Sequence, residues 1–201
     1  MKINTSDTTP VYDTFWQFAF KRQEIFYKRW KGEPPPWTDD PILQHYKFTN
    51  VYRAADRASQ YLIKEVIYSG PQDTRNLFFR IILFKLFNRI ETWQWLAEET
   101  GELCYEKFSV PKIGCLLDEL MYNKYPVYSG AYILPSGVKK FGHKRKHYNH
   151  LLLLQSMMKN NLPDQVVRAR SMNEVYQLLL SYPTIEPFLS YKFAISINYS
   201  Q

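Results

Sequence analysis

Apolar positions along this chain recur at helical rather than alternating spacing, and glycine, proline and capping residues cut the pattern into helix-sized pieces. Phe15, Trp16, Ala19, Gln23, Phe26 and Trp30 predict a first helix, capped by Asp13 or Thr14 and stopped at Gly32. Glu33 to Trp37 reads as a proline-stiffened connector. Asp40 before Pro41 reads as the cap and first position of a short helix ending near Tyr46. A third helix is expected from Asn50 to Tyr68. Asp73 then caps an apolar helix through Leu77, Ile81, Phe84 and Phe87, and a related segment continues to Thr100.

Ser109 with Pro111 opens a helix that ends near Lys124. Tyr125 to Gly137 is irregular, with a short extended piece around Tyr132 to Leu134, and a helix follows from His143 to Lys159. Ser171 and Glu174 form a capping-box pattern before a helix to Ser181, and Thr184 begins the last one. No alternating stretch is long enough to build a sheet. The expectation is an all-α protein: residues 1–12 a flexible arm, 13–201 a single compact helical domain.

Composition changes this picture in two ways. Aromatic residues make up 17% of the chain, with 16 Tyr and 13 Phe. Such rings fill cores, and Tyr and Trp also offer stacking surfaces to exposed bases. The net charge is +7, the footprint of a protein that meets a polyanion, or simply a basic surface. The longest apolar runs, such as Leu151 to Leu154, are too short to span a bilayer, and the polar N-terminus lacks a signal pattern. A cytoplasmic protein without a membrane partner is expected. Cys104 and Cys115 fit neither a zinc knuckle nor a redox pair. His143, His147 and His150 sit among lysines and arginines that oppose a metal, so neither a metal nor another cofactor is expected.

Several strings can carry chemistry. In Pro34 to Pro41, prolines fix the backbone before Trp37 and the adjacent carboxylates of Asp39 and Asp40, which either act as held acids or cap the next helix. Arg53 and Arg57, four apart, would share a helix face with Asn50 nearby and grip successive phosphates, unless Asp56 neutralises one of them. Asn88, Arg89, Glu91 and Thr92 follow a very apolar helix and could face a cleft together, Asn88 reading a base edge and Glu91 acting as a base, or they could simply cap and bridge helices. Gly130 between Tyr128 and Tyr132 permits close approach of a base or sugar to the backbone, or makes a tight turn. Lys139, Lys140, Lys144, Arg145 and Lys146 form the densest positive patch, a phosphate contact or a solvated face. There is no P-loop, dinucleotide fingerprint or nucleophile elbow.

Together, Phe15-Trp16 with Arg22-Gln23-Glu24, the string Pro36-Trp37-Thr38-Asp39-Asp40-Pro41-Ile42-Leu43, and Phe48-Thr49-Asn50-Val51-Tyr52-Arg53 with Asp56-Arg57 resemble the helical domain associated with 5-hydroxymethyluracil DNA kinases. That family lies close to the α-glutamyl/putrescinyl thymine pyrophosphorylases. Leu86 to Trp93, Gly130-Ala131-Tyr132, Pro187 to Tyr191 and Asn198 to Ser200 extend the resemblance over nearly the whole chain.

The resemblance implies phage-type DNA hypermodification and a fold likened to helix-hairpin-helix DNA glycosylases. It implies a 5-substituted pyrimidine flipped into a pocket between helices, DNA as partner, and a kinase or other pathway protein as a possible associate. On that basis Arg53, Arg57, Asn88, Arg89, Thr92 and the Lys139–Lys146 patch would hold DNA. Trp37, Asn50, Tyr132 and Tyr191 would form the base pocket. Asp39, Asp40, Asp56 or Glu91 would supply acid or base. Transfer to the base, excision of the base, and binding without turnover all remain open. The family pattern carries an aspartate in the final helix where this chain has Ser196, and a Gly-Pro-Gly turn after it. Ser196 cannot serve as a general base, so a shortened homologue that binds without turnover, or a fragment truncated at its C-terminus, is also expected. The sequence says nothing of oligomeric state.

Overall fold

The computed structural model describes residues 9–130 and 134–200, and among these every regular element is helical. The chain divides into two compact units, Met1–Ser59 and Gln60–Gln201.

The first unit holds α1 (Pro10–Trp30) and α2 (Pro41–His45). Helix α1 begins earlier than the cap pattern predicts: Pro10 takes its first position, where a missing N–H costs nothing, and Thr9 precedes it without a side-chain cap. Asp40 does cap α2, accepting from the N–H groups of Ile42 (3.0 Å) and Leu43 (3.3 Å). The expected third helix does not form as one piece. A 3-10 turn covers Arg53–Ala55, Asp56 is extended, and α3 (Arg57–Tyr61) runs across the division between the units into a π-helical turn, Leu62–Ile67. Side chains outcompete the helix here. The Asp56 carboxylate accepts from the Asn50 N–H at 2.9 Å, and the Asn50 amide donates to the Ala55 carbonyl at 2.9 Å. Arg53 and Arg57 therefore sit on separate elements rather than on one helix face.

The second unit is built around α4 (Thr74–Phe87), which is apolar all round and buried along most of its length, as a central helix must be. Around it lie α5 (Ile90–Thr100), α6 (Val110–Tyr122), α7 (Val138–Phe141), α8 (Lys146–Lys159), α9 (Leu162–Arg168), α10 (Met172–Leu180) and α11 (Pro187–Asn198). Helices α8, α9 and α11 pack directly on α4, while α6 pairs with α8 and α10 with α11.

Three boundaries depart from the sequence reading. Helix α8 starts at Lys146 because Gly137 and Gly142, both left-handed, break off α7 before it. Thr184, at φ 68°, lies in the turn before α11 rather than in the helix. Helix α9 escaped the pattern reading. The capping box holds: the Ser171 hydroxyl accepts from the Glu174 N–H at 3.2 Å, and the Glu174 carboxylate reaches back to the Arg170 N–H at 2.6 Å. Of the extended piece expected at Tyr132 to Leu134, Tyr132 and Ile133 lie outside the described residues.

One close approach fixes the α6–α8 pair. A Cβ on Gly114 would stand 2.2 Å from a ring carbon of Tyr148, and that ring also stacks on His143 at 5.2 Å between centroids. Gly114→Ala must push the ring off α6, and overpacking of this kind costs about 1–3 kcal/mol. Urea unfolding should show the loss; an unchanged midpoint would mean that the ring relocates freely.

Candidate nucleic-acid interface

In the first unit, α1, the proline connector and the segment after α2 enclose a cavity of about 820 Å³, within the range that takes a nucleoside. Trp37 and Asn50 line it, with Arg22, Arg29, Lys47 and Arg57, and no carboxylate is among its lining residues. Each wall is held locally. The Trp37 indole N–H donates to the Glu33 carbonyl at 2.7 Å, and Lys28 Nζ donates to the Trp37 carbonyl at 3.0 Å. The Arg29 guanidinium lies 5.2 Å from the Trp37 ring centroid, a cation–π distance. The Arg22 guanidinium sits 4.2 Å over the Phe18 ring and donates to the Thr49 carbonyl at 3.3 Å. Its Nε is buried without a hydrogen-bond partner among the described residues.

The acids near this cavity have structural work. Asp40 caps α2 and pairs with Lys21 at 3.0 Å; the Lys21 hydrogen bond holds its carboxyl below the usual carboxylate range. An acid so held is a poor proton donor. Asp56 pairs with Arg53 at 2.6 Å while accepting from Asn50. Asp39 is exposed, next to the lining Thr38.

In the second unit Asn88 is the left-handed residue that ends α4, accepting from Lys85 Nζ at 2.6 Å, and Arg89 begins α5, paired with Glu91 at 3.4 Å. Arg89, Glu91 and Thr92 border a cavity of about 480 Å³ with Trp95 and Tyr125. Thr92 is not an open DNA contact: it is 1% exposed and its hydroxyl donates to the Val127 carbonyl at 2.8 Å, tying α5 to the loop after α6. Tyr191 is exposed on α11, and Tyr132 lies outside the described residues. Ser196 is buried, its hydroxyl donating to the Lys192 carbonyl at 2.9 Å.

The basic cluster resolves into two kinds of residue. Lys139, Lys140 and Lys144 face solvent. Arg145 pairs with Asp118, which also accepts from the Tyr148 hydroxyl at 3.1 Å and lies 2.9 Å from His147 Nε2. Lys146 is half-buried with its ammonium 4.4 Å from the Tyr128 ring centroid, and burial pushes it below the usual lysine value. Among the described residues no three His, Cys, Asp or Glu side chains gather as a metal would require.

Of the residues expected to act together, the structure brings Trp37, Asn50 and Arg57 into one cavity. Sequence reasoning missed Arg22, Arg29 and Lys47 as its walls. The available signal was the seven-residue spacing of Arg22 and Arg29, two turns along one face of α1.

The described residues are thus all-α in their regular elements, and the first unit holds a cavity walled by an aromatic ring and cationic side chains. The model of the family described as the helical domain of 5-hmdU DNA kinase matches residues 9–201, so the chain belongs to that family. It is similar to a protein named 5-hmdU DNA kinase from Bacillus phage SP10, at 26% identity over 203 residues, which cover 92% of this chain and 31% of that protein. The chain thus spans about a third of the length of the curated relative it matches. No solved structure matches it. No helix among the described residues is long and apolar enough to cross a membrane.

The loop after α6 is anchored by a buried pair: the Tyr128 hydroxyl lies 2.9 Å from His150 Nδ1, and His150 Nε2 lies 2.8 Å from the Pro135 carbonyl. Nε2 must donate to that carbonyl, so Nδ1 accepts from Tyr128. Burial pushes His150 down to about 4 and lowers His147 as well. The folded chain therefore binds fewer protons than the unfolded one, whose histidines titrate near 6.5. This contribution to stability is fully present above about pH 6.5 and lost as pH falls towards about 4. Urea midpoints should drop more between pH 7 and pH 4.5 in the wild type than in His150→Gln; equal drops would contradict the assignment.

Proposed function

We propose that this chain is the DNA-engaging helical part of a DNA base-modification system, and that it holds a 5-substituted pyrimidine, displaced from the stack, in the Trp37 cavity. The observation that carries this reading is the cavity itself, an aromatic wall and an amide surrounded by cationic side chains. The relative's name supplies the substrate class, DNA bearing 5-hydroxymethyldeoxyuridine. A base inside the stack shows only its edges, so chemistry on it favours extrusion into a pocket. Trp37 offers a stacking face, Asn50 an amide suited to a base edge, and the guanidiniums of Arg22 and Arg29 match phosphate or a phosphorylated substituent. Lys139, Lys140 and Lys144 supply sequence-independent contact to the backbone. Asp39, exposed beside the cavity wall, is the carboxylate suited to proton transfer. Phosphoryl transfer from a nucleotide is not ascribed to these residues, because the chain contains no P-loop.

Fluorescence anisotropy on single-stranded and duplex DNA, with thymine or 5-hydroxymethyluracil at one position, tests the reading. The wild type should prefer the modified DNA, and Trp37→Ala should lose that preference while keeping salt-dependent affinity. Replacing Lys139, Lys140 and Lys144 by alanine should weaken both DNAs alike and lower the salt slope by about 2–3. Equal affinity of the wild type for both DNAs contradicts the pocket assignment. Release of free base with an abasic site, seen by nucleoside mass spectrometry, would make the protein a glycosylase instead.

A further inference from the structure

The face of α1 turned away from the cavity carries a pattern that base recognition does not use. Trp16, Phe20, Gln23, Tyr27 and Trp30 follow one another at spacings of four, three, four and three, the spacing of a seam between two helices. At 100° per residue they fall within an arc of about 80°. The cavity-lining Arg22, Ile25 and Arg29 lie about 140° round the helix from its centre. The aromatic members are open: Trp30 is 74% exposed, Phe20 65%, Trp16 54% and Tyr27 47%. With Tyr12, also exposed and on the same arc, and about 150–250 Å² per ring, the face presents on the order of 600 Å² of mostly apolar surface. That is at the upper end of what a monomer usually exposes, and most of the roughly 800 Å² each partner gives to a stable interface.

The order of side chains says what fits it. Read outward from Gln23, the order of side chains is the same in both directions and the spacing agrees to within one residue: Phe20 three before and Tyr27 four after, then Trp16 and Trp30 each seven away. A sequence that mirrors itself about one residue is complementary to an antiparallel copy of itself, the arrangement a two-fold axis produces. We infer that α1 is a homodimerisation helix, pairing antiparallel with α1 of a second copy about a two-fold axis through Gln23.

In that pairing Trp16 meets Trp30 of the second copy at both ends, Phe20 meets Tyr27, and the two Gln23 amides face each other. A polar residue at the middle of an apolar seam fixes register, because any shift buries the amide against rings. Asp13 and Lys31 lie on the same flank of the seam, at its opposite ends, so antiparallel pairing also sets acid against base. A nucleic acid would stack on such rings too, but it has no use for the mirror order or for a glutamine at its centre. The cavity stays open on the far side of each α1, so one dimer would present two of them. The inference does not rest on the base-pocket reading and survives its failure.

The test is sedimentation equilibrium of the chain together with a cross-link. Helices packed about 10 Å apart bring facing Cα atoms at the axis to about 5–6 Å, within disulfide reach. Gln23→Cys, made with Cys115→Ser to remove the exposed native thiol, should form a disulfide-linked dimer under mild oxidation. Phe20→Glu should weaken the dimer at least about tenfold while far-UV circular dichroism is retained. A monomer at about 100 µM overturns the inference, as does a dimer that Phe20→Glu leaves intact and Gln23→Cys fails to link. So does a monomer whose single-stranded DNA binding falls in Phe20→Glu, which would make the face a stacking platform.

Discussion

Arg80 is 3% exposed at the middle of the most buried helix, and a charge in that place persists only because three backbone carbonyls surround it. Its guanidinium donates to Val66 at 3.0 Å, Ile67 at 3.4 Å and Pro71 at 2.6 Å. Those carbonyls belong to the π-helical turn and the loop after it, where the regular hydrogen-bond ladder has stopped and buried acceptors would otherwise lack donors. The same constraint recurs wherever the chain is irregular. Buried Asn149 donates to the Ser136 and His143 carbonyls, both at 2.8 Å, and accepts from the His143 N–H at 3.0 Å, which shapes the basic loop. Asp56 and Asn50 do it for the segment that lines the cavity.

That constraint also explains what could be read in the sequence. Helices closed by local chemistry were legible: Asp40 before Pro41, Asp73 before α4, Ser109 before α6, and the Ser171–Glu174 box. So was the all-α class, because periodicity and caps agree along most of the chain. The break at Asp56 was not legible, since a carboxylate between two arginines is compatible with a helix until its partner, the Asn50 N–H, is known. The late start of α8 had a visible signal in Gly137 and Gly142, whose left-handed conformations fence off α7. Helix α9 is short and carries Pro163 near its start, which reads as loop when only spacing is weighed.

Site residues were legible by type and only partly by grouping. Trp37, Asn50 and Arg57 converge although twenty positions separate the first from the last. Asp40 and Asp56, candidates for acid–base work, also make the hydrogen bonds and ion pairs that shape the cavity's surroundings. Of the group expected to face one cleft, Arg89, Glu91 and Thr92 do border a cavity, the Thr92 hydroxyl being held by the loop after α6, while Asn88 ends α4 and accepts from Lys85. A cap and a catalytic acid draw on the same side chains, and only the identity of the hydrogen-bond partner separates them. The basic cluster divides for the same reason: Arg145 and Lys146 have partners inside the fold, and the lysines around them face water.

Photocross-linking tests whether a pyrimidine rests on Trp37. DNA carrying 5-iodouracil at the target position, irradiated with the protein and digested, yields an adduct whose peptide mass locates the contact. The adduct should fall on the peptide containing Trp37 and be lost in Trp37→Ala. An adduct confined to the Lys139–Lys146 segment or to Tyr191 would contradict it.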